Sequence, residues 1–271
     1  MVGRAVAVLL IAACSGKPRP EEASSSVAPR SDVVAAGDAD SIGDATAAGD
    51  ATSAGDAALA GSTATGDLQI RVEWPDVPVV ARNSPGRTPC NTPRAPSVVP
   101  TTTWGIPDAL VIVDGIAPPI VAAGITLADC ALTPRLAVGG SLAITSAVER
   151  PARLVLRKRG SVASLGQLAA GEPIPVMLPI AGHTVTAALD PGAIYSLETD
   201  AADAEIGFVA NLAGGYVTDA SGHVLARGVA VGQHAVTAWL PPRGGQPART
   251  GHGTATIAGG ALAELTVTLA P

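Results

Sequence analysis

Leu68-Gln69-Ile70-Arg71-Val72-Glu73-Trp74 is the stretch that decides the fold. Apolar and polar residues alternate with a period of two, which places one row of side chains on a core and the other in water. The stretch therefore predicts a β-strand, and folded chain is expected from Asp67 onward. Further short apolar runs follow at 109–113, 142–144, 154–156, 176–180, 185–187, 206–210, 236–239 and 265–269.

Many short strands separated by Gly, Pro and Asp predict an all-β protein made of two small antiparallel β-sandwiches. Only residues 161–170 have a pattern compatible with a helix. The 31 glycines and 23 prolines, together with a charged content of 15%, exclude long amphipathic helices and coiled coils.

The composition also restricts the kind of partner. The chain carries a formal net charge of −6 and has three Trp, two Tyr and one Phe. A nucleic-acid-binding surface needs a basic excess to neutralise phosphates and aromatic rings on which bases stack. We therefore expect no nucleic-acid partner.

The N-terminus has the pattern of an export signal over residues 1–13. Arg4 supplies a positive charge, and the apolar run that follows is too short to span a bilayer of roughly 30 Å. The tetrapeptide Ile11-Ala12-Ala13-Cys14 resembles the bacterial lipobox, after which the cysteine becomes the acylated N-terminus. The resemblance implies lipid attachment at Cys14 and, with Ser15 following, the outer membrane of a Gram-negative cell. An ordinary secretory signal with an incidental Cys14 is the alternative.

Residues 14–66 are expected to be a disordered tether. The segment has no aromatic residue, and its Ala, Gly, Ser and Thr cannot bury enough apolar area to offset the entropy of ordering the backbone. Gly-Asp pairs recur every six residues, at Gly37, Gly43, Gly49 and Gly55. A hexapeptide β-helix would need a branched aliphatic residue at a fixed position of each repeat, so an acidic spacer is the preferred interpretation.

Two cysteines remain besides Cys14 in a chain bound for an oxidising compartment. We predict that Cys90 and Cys130 form a disulfide. This bond would close a loop of about 40 residues and contribute roughly 4 kcal/mol on the chain-entropy model. It would restrain residues 88–102, which are rich in proline and poorly suited to regular structure. Two free thiols or a metal pair are the alternative.

The order of segments after Asp67 resembles a family of exported bacterial proteins of the methylamine-utilisation type. In that family a cupredoxin-like sandwich precedes a carboxypeptidase-regulatory-like, or transthyretin-like, sandwich. The resembling stretches are 110–115, 130–139, 142–146, 189–192, 215–223 and 229–239. The resemblance implies a cupredoxin-like domain over 67–205 and a transthyretin-like domain over 206–271.

One departure from this family bears on chemistry. By the resemblance, copper-binding relatives place a His after the strand at 142–146, and a Cys followed by a His after the Pro-Gly at 191–192. Here no His follows the first strand closely, and Glu198 and Ala201 stand near the expected Cys and His. A blue-copper centre needs a thiolate and two imidazoles. We therefore expect a domain that holds no metal and no cofactor.

The remaining polar residues predict surface roles. The histidines are isolated in strand or turn contexts without the spacing of a metal motif. They are His183, His223, His234 and His252. A cationic run is expected to be a solvated strand edge that discourages aggregation, with an anionic lipid or glycan site as the alternative. Its members are Arg150, Arg153, Arg157, Lys158 and Arg159.

Three further patterns do not indicate a binding or catalytic site. Glu198, Asp200, Asp203 and Glu205 lack the alternating ligands of a calcium loop, so a polar surface turn is preferred. No serine has the Gly-x-Ser-x-Gly context of a nucleophile elbow. Met177 lies in an apolar run and is expected in the core.

Together these patterns predict a non-enzymatic outer-membrane lipoprotein, attached through its lipid, that interacts with an envelope protein or a glycan. A periplasmic copper-handling or electron-transfer protein with a non-standard site is one alternative. A polysaccharide- or cell-wall-binding module is another, but it would need exposed aromatic platforms. Trp74 and Trp239 are expected to be buried, which leaves only Trp104 and Tyr216 for that role.

Overall fold

The computed structural model describes residues 64–270, with the exception of 85, 89, 118–120, 166 and 200–205. The predicted export signal, Cys14 and most of the predicted tether lie outside the described residues. Within them the fold is all-β. The first strand, β1 (Thr65–Glu73), begins two residues before the expected start and buries the apolar side of its alternating pattern.

Fifteen further strands of three to ten residues follow among the described residues. They are β2 (Leu110–Val113), β3 (Ala122–Ala128), β4 (Ala131–Thr133), β5 (Leu136–Val138), β6 (Ser141–Ser146), β7 (Ala152–Ser161), β8 (Pro173–Leu178), β9 (Thr184–Ala188), β10 (Ala193–Thr199), β11 (Ile206–Ala210), β12 (Gly215–Val217), β13 (His223–Ala230), β14 (Gly232–Leu240), β15 (Arg249–Ile257) and β16 (Leu262–Thr268).

In the part of the chain that the structure describes, helical structure is limited to α1 (Val79–Arg82) and a 3₁₀ turn at Val162–Ser164. The predicted helix over 161–170 is therefore wrong beyond that turn. The chain instead runs back along β7, where the Ala169 amide donates a hydrogen bond to the Arg159 carbonyl at 2.8 Å.

The strands form four sheets. Sheet I has the order β13-β1-β16, sheet II β12-β2-β14-β15, sheet III β5-β11-β10-β7-β8 and sheet IV β4-β3-β6-β9. Most neighbouring strands are antiparallel, but β1–β16, β5–β11 and β3–β6 are parallel pairs. Sheets I and II make the first sandwich, and sheets III and IV make the second.

The sheets stack in the order I, II, III, IV because three hydrophobic layers lie between them. Core 1 lies between sheets I and II, and core 2 lies between sheets III and IV. The third layer, here called the junction, joins sheet II to sheet III. Its main members are Leu110, Ile112, Leu136, Ile194, Phe208 and Trp239.

Strand β2 is a continuous apolar run because sheet II has a hydrophobic layer on each of its faces. Leu110 and Ile112 face the junction, whereas Val111 and Val113 face core 1. All four side chains are buried, so no position of the strand needs to be polar.

The strand pairing divides the chain differently from the expected boundary between 205 and 206. Strand β1 lies between β13 and β16, and β2 lies between β12 and β14, although both strands precede that boundary. Strand β11 follows the boundary, yet it pairs with β10 and β5 in the second sandwich. The second sandwich, at 122–210, is thus inserted between two strands of the first. The expected boundary was an implication of the family resemblance, and apolar patterning, which identifies a strand, does not say which strand is its partner.

Candidate functional site: an arginine-lined pocket at the disulfide

Cys90 and Cys130 form the predicted disulfide, with Cα atoms 5.8 Å apart. Cys90 lies in the 74–109 segment between β1 and β2, whereas Cys130 lies in the turn between β3 and β4. The bond therefore ties the long connection of the first sandwich to one end of the second. A hydrogen bond of 2.9 Å from Arg135 Nη1 to the Pro96 carbonyl oxygen makes a second link between these regions.

A pocket opens beside this disulfide, at the end of the second sandwich. Its volume is about 160 Å³, and most of its lining is aliphatic, including Leu127, Val148, Pro151, Ala152 and Leu154. Leu127 and Leu154 belong to core 2, from sheet IV and sheet III respectively. Both leucines are almost fully buried, so the pocket lies over the end of core 2, and its exposed aliphatic lining comes from Val148, Pro151 and Ala152.

Arg150 lies at the rim of the pocket, next to the disulfide. Its Nη2 is 3.7 Å from Cys90 Sγ and 3.9 Å from Cys130 Sγ. Sulfur is a weak hydrogen-bond acceptor, so these contacts orient the guanidinium without using its full donor capacity. Arg153 lines the same pocket. A guanidinium stays charged at every physiological pH, so the rim attracts anions.

The two stretches where the family resemblance places copper ligands meet at this pocket. Val148 and Arg150 follow β6, and Thr199 ends β10; all three line the pocket. Aliphatic groups do not ligate copper, and a guanidinium repels a metal cation. The residues present therefore do not fit a copper centre.

Glu198 does not belong to a surface turn, so that prediction is wrong. It lies in β10, where it is half-buried, and its Oε1 accepts a hydrogen bond of 2.7 Å from Arg159 Nη2. Its Oε2 is 3.3 Å from Arg157 Nε, and the Ser196 hydroxyl donates to Oε1 at 3.0 Å. The carboxylate is thus held by two guanidinium groups. Ala201 and the other predicted turn residues, Asp200, Asp203 and Glu205, lie outside the described residues.

The cationic run does not form a strand edge, because β7 lies between β10 and β8 in sheet III. Arg157 and Arg159 are half-buried against Glu198. Lys158 is instead exposed and makes a 2.7 Å ion pair with Asp190. The hydrogen bond from the Lys158 ammonium, more than its charge, lowers the pKa of the Asp190 carboxyl.

Strand β8, which contains Pro173 and Pro175, is one of the two edge strands of sheet III. Proline lacks an amide donor and is tolerated at sheet edges, where it hinders pairing with another strand. Met177 lies on this edge strand with 55% of its surface exposed, so its predicted core position is wrong. Its neighbours in the apolar run, Val176 and Leu178, take the core positions instead.

The histidines do not form a common site. His234 departs from the predicted surface role, because only 9% of its surface is exposed. Its Nδ1 lies 2.8 Å from the Asp114 carbonyl oxygen, and its Nε2 lies 2.8 Å from the Ala230 carbonyl oxygen. Both ring nitrogens thus lie within hydrogen-bond distance of backbone carbonyl groups, and the imidazole links the residues after β2 to the end of β13. Within the part of the chain that the structure describes, no three His, Cys, Asp or Glu side chains are placed to hold a metal ion.

Asp219, Ser221 and His223 contact one another in the turn before β13, but their order is not that of a catalytic triad. The Ser221 hydroxyl lies 2.6 Å from Asp219 Oδ1 and 3.0 Å from His223 Nδ1. In a triad the histidine stands between serine and carboxylate and receives the serine proton. Here the serine stands between the other two, which makes a hydrogen-bonded turn.

Burial of Asp219 would by itself raise the pKa of its carboxyl. Hydrogen bonds from the Ser221 hydroxyl and from the amides of His223 and Ser221 outweigh that effect, with help from the charge of His223. The net result is that the pKa of Asp219 lies below its usual value.

The aromatic side chains contribute to packing. Trp74 and Trp239 are buried, as the strand patterns predict. The Arg249 guanidinium lies 3.9 Å from the centre of the Trp74 ring, in a cation–π contact. Trp104 and Tyr216 are partly buried against core 1 and do not stand out as flat platforms for a sugar.

Comparisons of the chain with models of protein families, with curated proteins and with solved structures give no match. Among the described residues, no helix combines the length and the apolar character needed to cross a membrane. Fold and site thus define a class: an all-β protein of two stacked sandwiches, joined by a disulfide that borders a small cationic pocket.

Proposed function

We propose that this chain is an exported, lipid-anchored envelope protein that displays two stacked β-sandwiches for binding rather than for catalysis. The disulfide between Cys90 and Cys130 carries the proposal. Structural disulfides persist in oxidising compartments outside the cytoplasm. This agrees with the export pattern of residues 1–13 and with Cys14 as the site of acylation. The proposed location is the outer membrane, and the proposed partner is an envelope protein or a glycan.

We further propose that the second sandwich is a cupredoxin-like module that works without metal. Glu198, near the position where the resemblance places a copper-ligating cysteine, is neutralised by Arg157 and Arg159. Arg150, which follows the other ligand stretch, lies apart from Glu198 and puts a positive charge at the pocket beside the disulfide. This environment favours anions over Cu(II). The stretches that resemble the transthyretin-like family, 215–223 and 229–239, contribute to β12, β13 and β14 of the first sandwich.

Membrane fractionation tests the anchor. The Cys14→Ser variant should move from the membrane fraction to the soluble fraction, because one cysteine supplies the only proposed attachment for acyl chains. Ser24→Ala, in the same N-terminal stretch, is the matched control and should stay with the membrane. Retention of Cys14→Ser in the membrane fraction would contradict the proposal.

Copper titration tests the absence of a metal role. The purified chain should show no intense visible band and no sub-micromolar binding when Cu(II) is added, since an intense band needs a cysteine thiolate. Tight binding of one equivalent would instead support a metal-handling protein.

A further inference from the structure

We propose that the pocket beside the disulfide binds a small carboxylate that carries a compact apolar group. This inference goes beyond the proposed function, because neither lipid anchoring nor the display of two sandwiches requires a bound small molecule. It rests on the size and lining of the pocket and on the position of Arg150.

The pocket floor determines the apolar part of the ligand. Leu127 and Leu154 back the pocket from opposite sheets but are almost fully buried, so a ligand would contact Val148, Pro151 and Ala152. A closed apolar protein cavity of about 150 Å³ takes up benzene. The pocket volume of about 160 Å³ therefore suits a six-membered ring or a branched aliphatic group of similar size.

Arg150 determines the charge of the ligand. Its side chain is exposed at the rim, and its contacts are to the sulfurs of Cys90 and Cys130, which are weak acceptors. A guanidinium binds a carboxylate through two parallel N–H···O bonds, which gives direction as well as strength. An apolar floor below a cationic rim matches an amphipathic monoanion.

The disulfide makes the site rigid before the ligand arrives. It fixes the β3–β4 turn at Cys130, which is itself part of the pocket wall, and Arg150 lies against it. A site whose walls are already ordered loses less conformational entropy on binding. Small ligands gain measurable affinity from such a site even when they bury little area.

Fluorine NMR of para-fluorobenzoate with the purified full-length chain tests this proposal. The ligand signal should broaden and shift as protein is added, and the titration should give a dissociation constant below about 1 mM, an affinity within the limit for a ligand with so few atoms. Para-fluorobenzamide keeps the ring but lacks the charge, and trifluoroacetate keeps the charge but lacks the ring. Each should bind at least tenfold more weakly than para-fluorobenzoate.

Three variants locate the site. Arg150→Gln removes the charge at the rim, and Val148→Phe fills the cavity, so each should weaken binding at least tenfold. Arg227→Gln changes an exposed arginine on β13 of the first sandwich and should bind like the parent. Thermal melting confirms that each variant is folded; if Val148→Phe unfolds, the comparison of Arg150→Gln with Arg227→Gln decides alone.

Two outcomes would overturn the proposal: no binding of para-fluorobenzoate to the parent chain at about 10 mM, or equal affinity for the parent and for Arg150→Gln. Neither outcome depends on membrane attachment. A failure here is therefore distinguishable from a failure of the fractionation experiment.

Discussion

The two sandwiches use the chain in opposite ways. The second is built from one continuous segment, 122–210, whereas the first combines β1 and β2 from before that segment with five strands from after it. In the second sandwich, each strand pairs with another strand of the same segment. In the first sandwich, β1 and β2 pair with strands from the C-terminal part of the chain, so it depends on contacts between residues that are far apart in sequence.

The layer between the sandwiches differs from both cores in its side chains. The cores are largely aliphatic, whereas the junction contains the single Phe of the chain, Phe208, packed edge-to-face on Trp239 at 5.5 Å between ring centres. Trp239 Nε1 also donates to the Leu165 carbonyl oxygen at 3.1 Å. Trp74 lies in core 1 and Tyr195 in core 2, so the junction is set apart by this direct contact between two aromatic rings rather than by a monopoly of aromatic residues.

Separate fragments should show the largest difference between the two sandwiches. Residues 206–271 alone lack β1 and β2, which are central strands of sheets I and II, so this fragment should give no cooperative thermal transition by circular dichroism. Residues 121–211 contain every strand of sheets III and IV and should keep β structure, although their junction face is exposed. A cooperative transition of 206–271 would mean that the first sandwich does not need its early strands.

Trp239→Ala should be the most damaging single substitution. It leaves a large cavity in the junction and removes the hydrogen bond to Leu165, so the free energy of unfolding should fall by about 3–5 kcal/mol. Urea unfolding measures the change. Trp104→Ala is the matched control, since that ring is only partly buried and its loss should cost less. Equal losses for the two variants would show that the junction is not a special point of attachment.

Removal of the disulfide should have the next largest effect. The double variant Cys90→Ala, Cys130→Ala should lose about 2–4 kcal/mol of unfolding free energy, because the bond closes a loop of about 40 residues. Urea unfolding of the parent with and without a reducing agent provides an independent measurement. An unchanged midpoint in both experiments would mean that the junction alone holds the sandwiches together.

Asp219→Asn should have the smallest effect, and it should be visible only as a change in pH dependence. The folded chain lowers the pKa of Asp219, so the ionised carboxylate stabilises the first sandwich above its unfolded pKa. That contribution disappears as the pH falls through the folded pKa. Thermal melts from pH 7 down to pH 3 should therefore show a weaker acid dependence for the variant than for the parent. Identical pH profiles would show that the turn before β13 does not contribute.

The sequence predicted the strands better than it predicted their partners. Alternation at Leu68, Ile70 and Val72 located β1, because a half-buried strand has a period that is visible locally. The pairing of β1 with β13 and β16 leaves no local signal, since those strands begin more than 140 residues later. The Cys90–Cys130 bond, in contrast, could be predicted without a structure, because they are the two cysteines left besides Cys14 and the sequence predicts export to an oxidising compartment.

The candidate site was only partly visible in the sequence. Arg150 and Arg153 stood out as charges, but the sequence assigned them to a solvated edge. Leu127 and Val148 come together because β3 and β6 are parallel neighbours in register. Periodicity does not encode that register. Glu198 and His234 were misjudged for a related reason, since the arginines and carbonyl groups that surround them come from other strands.

The points where the second sandwich leaves and rejoins the first are direct neighbours. Gly215 pairs with Ile112, and the Val113 amide donates to the Gly214 carbonyl at 2.9 Å. Strands β2 and β12 are thus a hairpin whose loop has grown into a domain of about 100 residues. As a flexible loop it would cost about 3 kcal/mol more closure entropy than a four-residue turn. A folded loop with ends already side by side avoids most of that cost, so a short turn in its place should leave the first sandwich able to close.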